Sequence, residues 1–489
     1  MKNAHRNITY SALGYILPLI ISLATIPLMI KYMGVDIYGL YIICVSLIGF
    51  MVFVDLGVGQ AIIKYVSQYE ITGETQKVKP VLDIALLLYI SLGVLISGLI
   101  FIFADKLGGL ISGKNPQNAV LAAQALSITA LAFCISYINQ FFLNIFRAYH
   151  RFDIPAVIHN SANAANIITA SVLLLLKHGI IAILWGHVLI QVIALSSSFI
   201  YSKKVLPKGI ELGFSFDKTI FHEMIAFSFY TFISNLLGSI TSRLDKFIIG
   251  AILGTEAVTY YQIPYTIVQM ANGIVQSLGQ ITFPRFSELF SLDEKDLLLG
   301  LYKRSVIVMF LISMAINVML MSVGGLFLEM WISADFSSKS TLTLQIIALY
   351  FFFQSSIVVP YWAIQGSGNA KITAFCSTLG TIIYMAGIYF LTQHYAYNGA
   401  AASLFFLLTP LPIFYMWIQN NIGHKFIEYL AVAAFVGSLG VLIIILLDKL
   451  NILISNGYLV IVIDGIIVSS LTVVFLAYIF RDKLNLRFK

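Results

Sequence analysis

Charge is what this 489-residue chain has least of. Asp, Glu, Lys and Arg together make up 10% of it, against about 25% in an ordinary soluble protein. Cysteine is nearly as scarce. Cys44, Cys134 and Cys376 each fall in a different apolar run, so no disulfide framework is expected, and Cys in such runs behaves as a small buried apolar side chain. Cys/His metal spacing, a phosphate-binding glycine loop and a nucleophile elbow are all missing. No metal site, cofactor or catalytic residue is therefore expected, and the chain reads as a non-enzyme. Long polar segments are also missing: the longest connection expected outside is 105–118 and the longest expected inside is 201–224. Neither can fold into a catalytic domain.

What fills the space is hydrophobic sequence, 59% of the chain. Runs of about eighteen residues or more recur from end to end, each long enough to cross a bilayer as a helix. The reading is an all-α polytopic protein of about fourteen spans. They fall near 8–30, 39–63, 81–104, 119–146, 155–176, 179–200, 225–249, 257–284, 304–329, 341–364, 372–392, 397–419, 427–447 and 457–480. The first apolar run is too long for a cleavable signal and is expected to stay in the membrane.

Basic residues orient the spans. With the N-terminus inside, inner segments hold 21 Lys and Arg and outer segments hold 6, leaving Arg243 and Lys246 within a span. The net charge of +7 is thus a topology signal that implies no nucleic acid. Both termini are expected in the cytoplasm.

A shift of 220 residues lays "MGVDIYGLYIICVSLIGFMVFVDLGVGQAIIKYVSQ" on "LGTEAVTYYQIPYTIVQMANGIVQSLGQITFPRFSE", pairing Gly34 with Gly254, Tyr41 with Tyr261, Gly59 with Gly279 and Gln60 with Gln280. The same shift places span 1 on span 7 and span 2 on span 8. The expected organisation is two six-helix lobes, 1–200 and 225–420, in parallel repeat about an axis along the membrane normal. A basic cytoplasmic linker, 201–224, joins them, and 421–489 adds a peripheral helix pair and tail.

Span 7 holds the densest charge, in "ITSRLDKFIIG". Ser228, Thr231, Asn235, Ser239, Ser242 and Lys246 lie within about 40° of one line on a helix, with Arg243 and Asp245 flanking it by about 80°. Span 8 repeats the stripe with Gln262, Thr266, Gln269, Gln276 and Gln280. Amides facing lipid would be unsatisfied, so two such stripes point to a shared watery cavity. Interhelical hydrogen-bond seams, or an interfacial anchor at Lys246, are the blander readings.

Weaker signals are His159, Asn163 and Asn166 in span 5. Span 4 adds Asn139 and Asn144, with Arg147 and Arg151 at its inner mouth. Asp55 in "VDLGVGQ" either bonds a neighbouring helix or sees the cavity. His187 reads as a packed histidine, Asp83 as facing solvent, and Asp464 in "VIVIDGIIV" has no explanation at this level.

The "LG…Y" turns, "DLG" in span 2, "GFSFDKTIFHEMIAFSFY", "RLDKFIIGAILG" and "QGSGNAK" together make the chain resemble a bacterial O-antigen or polysaccharide (lipid-linked oligosaccharide) flippase, over its whole length. That family belongs to the multidrug/oligosaccharidyl-lipid/polysaccharide (MOP) exporter superfamily. The resemblance implies an inner-membrane carrier that moves an undecaprenyl-pyrophosphate-linked oligosaccharide to the periplasmic leaflet by alternating access. It further implies coupling to protons or sodium, and a polysaccharide polymerase and chain-length regulator as partners beside the lipid bilayer. The substrate-binding candidates are then Arg243, Lys246, Asn235, Ser239, Ser242, Gln262, Gln269, Gln276, Gln280, Asn163, Asn166, Arg147 and Arg151. Asp245, Asp55 and His159 are the ion-coupling candidates. Alternatives are a multidrug antiporter or lipid-II flippase of the same superfamily. A membrane polymerase would need a large basic outer loop. An O-acyltransferase would need a deep histidine, for which His159 is the sole candidate.

Overall fold

The computed structural model describes residues 25–49, 51, 55–111, 116–151, 153–207, 210–213, 215–225, 228, 244–451 and 457–479. Much of spans 1 and 7 thus lies outside the described residues. The rest is helical, as long apolar runs without water to pair their amides must be. In order come α1 (Val35–Gly49), α2 (Val58–Thr72), α3 (Val78–Ile102), α4 (Ala104–Ile111), α5 (Pro116–Ala148), α6 (Asp153–Leu175) and α7 (Ile180–Val205). Then follow α8 (Leu244–Leu253), α9 (Thr255–Ser291), α10 (Lys295–Trp331), α11 (Ala334–Gly366), α12 (Ala370–Ser403), α13 (Leu411–Asn421), α14 (Phe426–Asn451) and α15 (Gly457–Ile479). Among the described residues there is no strand, and seven helices are long and apolar enough to cross a membrane. The protein is an all-α, multi-pass membrane protein.

Span 2 is not one helix. Asp55, Leu56 and Gly57 form a turn between α1 and α2. Leu56 and Gly57 both have positive φ, 47° and 80°, a region that only glycine adopts without cost. Gly57 is also needed for space, because a Cβ there would stand 2.4 Å from the Ser228 carbonyl oxygen. Spans 11 and 12 likewise separate where Tyr395 and Ala396 leave helical geometry inside α12.

By its contacts the chain divides into two compact units, Met1–Thr259 and Tyr260–Lys489. In the first, α2, α3 and α5 bury Tyr89, Tyr137, Phe141 and Phe146 in one core. In the second, α10, α11, α13 and α14 bury Tyr302, Phe310, Ile364 and Tyr415. The division falls inside α9, and the lobes at 1–200 and 225–420 remain our proposal.

One contact within the first unit bears on the repeat. Thr259 Oγ1 donates to the Val35 carbonyl at 2.7 Å, Thr255 Oγ1 donates to Asp36, and a Cβ on Gly39 would lie 1.8 Å from the Thr255 carbonyl oxygen. Under the 220-residue shift, Val35 corresponds to Thr255 and Gly39 to Thr259. The pairs 35–259 and 39–255 therefore exchange, the self-complementary pattern of a two-fold contact.

Asp83 is corrected here. It is fully buried, and it holds the segment expected to be a free linker. Its carboxylate accepts Gly213 N–H at 2.6 Å, Ser215 N–H at 3.3 Å, Ser215 Oγ at 2.5 Å and Lys79 Nζ at 3.0 Å. Lys79 also donates to the Glu211 carbonyl at 2.6 Å, and Tyr65 to that of Glu223 at 3.1 Å. Backbone N–H groups need acceptors, and a carboxylate at the end of span 3 supplies two of them.

Candidate functional site

The first unit contains a cavity of about 510 Å³. Residues near the break in span 2 (Asp55, Gly59, Gln60) form one wall. One face of α5 (Ser136, Asn139, Gln140, Asn144, Arg147) forms another, and His159 and Asn163 of α6 with His187 and Gln191 of α7 complete it. For a site within membrane-spanning helices this lining is unusually polar, and polar groups at that depth mark substrate or ion pathways.

A hydrogen-bonded chain crosses the cavity wall. Arg147 Nη1 donates to Asn144 Oδ1 at 2.7 Å. Asn144 Nδ2 donates to the Tyr89 hydroxyl at 3.0 Å, and Tyr89 in turn donates to Asp55 Oδ1. Gly59 N–H closes the chain onto Asp55 Oδ2 at 3.1 Å. A positive end and a negative end are thus joined through neutral groups that polarise one another. The chain needs glycine at position 59, where a Cβ would come within 2.3 Å of Asn144 Nδ2.

Arg147 is half-buried and makes no ion pair among the described residues. One of its five N–H donors is used by Asn144; the remaining fork suits a phosphate or carboxylate. Close by, Ser136 Oγ and Asn139 Oδ1 are buried without a hydrogen-bond partner. Buried polar atoms are normally satisfied, so these are positions that a hydroxylated or hydrated ligand would complete. Two ring–amide pairs, His159 with Asn163 and His187 with Gln191, both at 3.1 Å, add further donors and acceptors.

The sequence candidates divide accordingly. Arg147, His159, Asn163 and Asp55 meet in this cavity. Asp55 bonds a neighbouring helix, one of the readings left open for it. The cavity it lines is built from spans 2, 4, 5 and 6 and is not the one expected between the stripes of spans 7 and 8. Asn166 is not among the lining residues, although its Oδ1 is buried without a partner. Arg151 is absent from the lining as well. It turns outward onto Asp153 in a two-pronged pair at 2.9 Å, which holds the Asp153 carboxyl below its ordinary range. The sequence reading places both arginines at the inner mouth of span 4, but α5 ends at Ala148 and Arg151 lies beyond it.

Lys246 and Asp245 sit at the start of α8, 6% and 1% exposed. Lys246 Nζ donates to Asp245 Oδ1 at 2.9 Å, so the lysine's charge is met inside the protein and is not presented on an open stripe. Asn235, Ser239, Ser242 and Arg243 lie outside the described residues. In the second unit, Gln269, Gln276 and Gln280 are exposed along one line of α9, while Ile274 and Ile281, 57% and 72% exposed, lie about 120–140° away around the helix. The buried ridge between them packs on α10 through a reciprocal amide pair, Asn272 with Asn317, at 3.0 Å each way. Gln262 differs, being partly buried and donating to Thr266 at 2.9 Å.

Sequence reading passed over Tyr89, Gln60, Gln140 and Ser136 and set His187 aside. A usable signal existed on α5, where Ser136, Asn139, Gln140, Asn144 and Arg147 recur at helical spacing. Nothing local marks Tyr89, which matters only because α3 packs beside Asp55.

The fold is one shared with solved membrane transporters. It superposes on the lipid II flippase MurJ in an inward closed conformation with a TM-score of 0.73, at 15% identity, over 97% of this chain and 99% of that one. An inward-facing multidrug-resistance MATE family transporter of the MOP superfamily gives 0.68 at 13% identity, over 83% and 94%. The chain belongs to the polysaccharide biosynthesis protein family, whose pattern matches residues 4–290. A relative from Shigella flexneri named "Putative O-antigen transporter" is 24% identical over 405 residues, 81% of this chain and 93% of its own.

Proposed function

We propose that this protein is a flippase that moves an undecaprenyl-pyrophosphate-linked oligosaccharide from the cytoplasmic to the periplasmic leaflet by alternating access, with both its termini in the cytoplasm. A polyprenyl tail can stay in lipid, but a diphosphate and a hydrated sugar chain cannot cross hydrocarbon unaided. The observation that carries the reading is Arg147, a guanidinium with no carboxylate partner among the described residues, on the wall of a polar cavity. Its planar fork binds the diphosphate. The surrounding amides, imidazoles and hydroxyls, with the unpartnered Ser136 and Asn139, bind sugar hydroxyls.

Arg243, with Asn235, Ser239 and Ser242, forms a second contact to the substrate, and the exposed glutamines of α9 a third. Asp55, at the far end of the Arg147 chain, is the carboxylate for a coupling proton. Homology to an O-antigen transporter supports a lipid-linked glycan as the cargo. The test is reconstitution in proteoliposomes with a short-chain lipid-linked oligosaccharide, following its accessibility to a membrane-impermeant glycan-modifying reagent. Wild-type protein should expose substrate from the inner leaflet and Arg147→Ala should not. Equal flipping by both proteins would overturn the assignment of Arg147, and no flipping of any lipid-linked glycan by wild-type protein would overturn the function.

A further inference from the structure

Asp464 is the acid that the sequence leaves without a purpose. It lies on α15 and is fully buried. Ser322 Oγ of α10 donates to its Oδ2 at 2.9 Å, and Asn451 Nδ2, at the last residue of α14, donates to the same oxygen at 3.1 Å. Among the described residues no lysine, arginine or histidine pairs with it. The other carboxylate oxygen, Oδ1, is buried with no hydrogen-bond partner, and so is Asn451 Oδ1. One of these two bare oxygens belongs to the carboxylate itself, the other to the amide that donates to it from α14.

Two neutral donors on one oxygen do not cancel a buried charge, and burying a carboxylate without compensation is among the costliest arrangements in a protein. The donor set consists of oxygens, namely the carboxylate, an amide carbonyl and the lone pairs of the Ser322 hydroxyl. Oxygen-only sets select hard cations. A single negative charge balances a monovalent ion, whereas a divalent ion would leave net charge among apolar helices. We propose that Asp464, Asn451 and Ser322 form a binding site for a monovalent hard cation of sodium's size, tying α14 and α15 to α10. The site is remote from the Arg147 cavity in sequence and does not rest on the flippase reading.

The test is thermal unfolding of the purified full chain in sodium-free detergent at fixed pH, with sodium chloride titrated against choline chloride at constant ionic strength. Wild-type protein should gain several degrees in Tm, saturably, with sodium but not with choline, because a ligand of the folded state stabilises by mass action. Asp464→Asn keeps the shape, removes the charge, and should show no sodium dependence. Asn451→Ala and Ser322→Ala should move the midpoint to about tenfold higher sodium, and they carry the test if the Asp464 variant does not fold. A wild-type Tm indifferent to sodium would overturn the proposal. So would a sodium response that persists unchanged in all three variants, or a response that follows pH and not sodium, which would mean that Asp464 holds only a proton. None of these readouts depends on transport.

Discussion

At the scale of single residues the arrangement turns on Arg147 and on the groups that hold it. Arg147→Ala should reduce polysaccharide export about tenfold or more at normal membrane levels, since a charge-assisted bidentate contact is lost. Arg147→Lys should keep part of the activity, because the charge survives without the fork. Complementation of a flippase-deficient strain, with immunoblotting for protein level, measures both. Tyr89 acts at one remove, donating to Asp55 and accepting from Asn144. Tyr89→Phe leaves a buried carboxylate oxygen without its donor, which should cost about 1–3 kcal/mol of stability. Thermal unfolding of the purified variant reads this, and an unchanged Tm would mean that the chain from Arg147 to Asp55 carries no energy.

Elements matter where they touch. The starts of α1 and α9 meet through Val35 and Thr259 and through Gly39 and Thr255. A Val35→Cys/Thr259→Cys protein in a cysteine-free background should cross-link on mild oxidation. If the contact opens and closes during transport, the cross-link should stop export until reduced; full export by the cross-linked protein would show that the contact is static. The turn between α13 and α14 makes a second prediction. His424 there is 3% exposed, with Nε2 3.7 Å from Glu428, and burial pushes its imidazole below its ordinary range. The unfolded chain therefore takes up this proton at a higher pH than the folded one does. Stability should fall as pH drops below about 6.5 and level off once the folded form protonates too. His424→Phe, keeping a ring against Tyr302, should flatten that part of the Tm–pH curve.

For the whole molecule the testable statement is topology. The turns supply sites between helices: Gly73 and Gly423 at turns expected inside, Lys177 and Ser333 at turns expected outside, all exposed. Reporter tags there should give cytoplasm for the first pair and periplasm for the second, and a single inversion would break the fourteen-span map. Accessibility can be mapped the same way on α9. Cysteines at Gln269 and Gln276 should react with water-soluble thiol reagents, while Ile274→Cys and Ile281→Cys, about 120–140° away around the helix, should not.

Composition by itself determined that this is an all-α protein of the membrane, because uninterrupted apolar runs leave the backbone no partner but its own helix. Helical periodicity went further and showed that α9 carries its glutamines on one line. It could not say what a polar residue meets, since spacing fixes a direction around one axis and nothing about the neighbour. Arg147 and Arg151 look equivalent in the sequence, yet one lines a cavity and the other is held outward by Asp153. Asp83 reads as a solvated end of a span and turns out to hold the backbone of a segment some 130 residues away. Lys246 reads as an open cation and is met by Asp245. Asp55, Tyr89 and Asn144 come from three separate spans, and only packing brings them within hydrogen-bond reach. Tertiary structure decided these cases because a buried charge is settled by whichever partner the fold delivers, and that partner is distant in the chain.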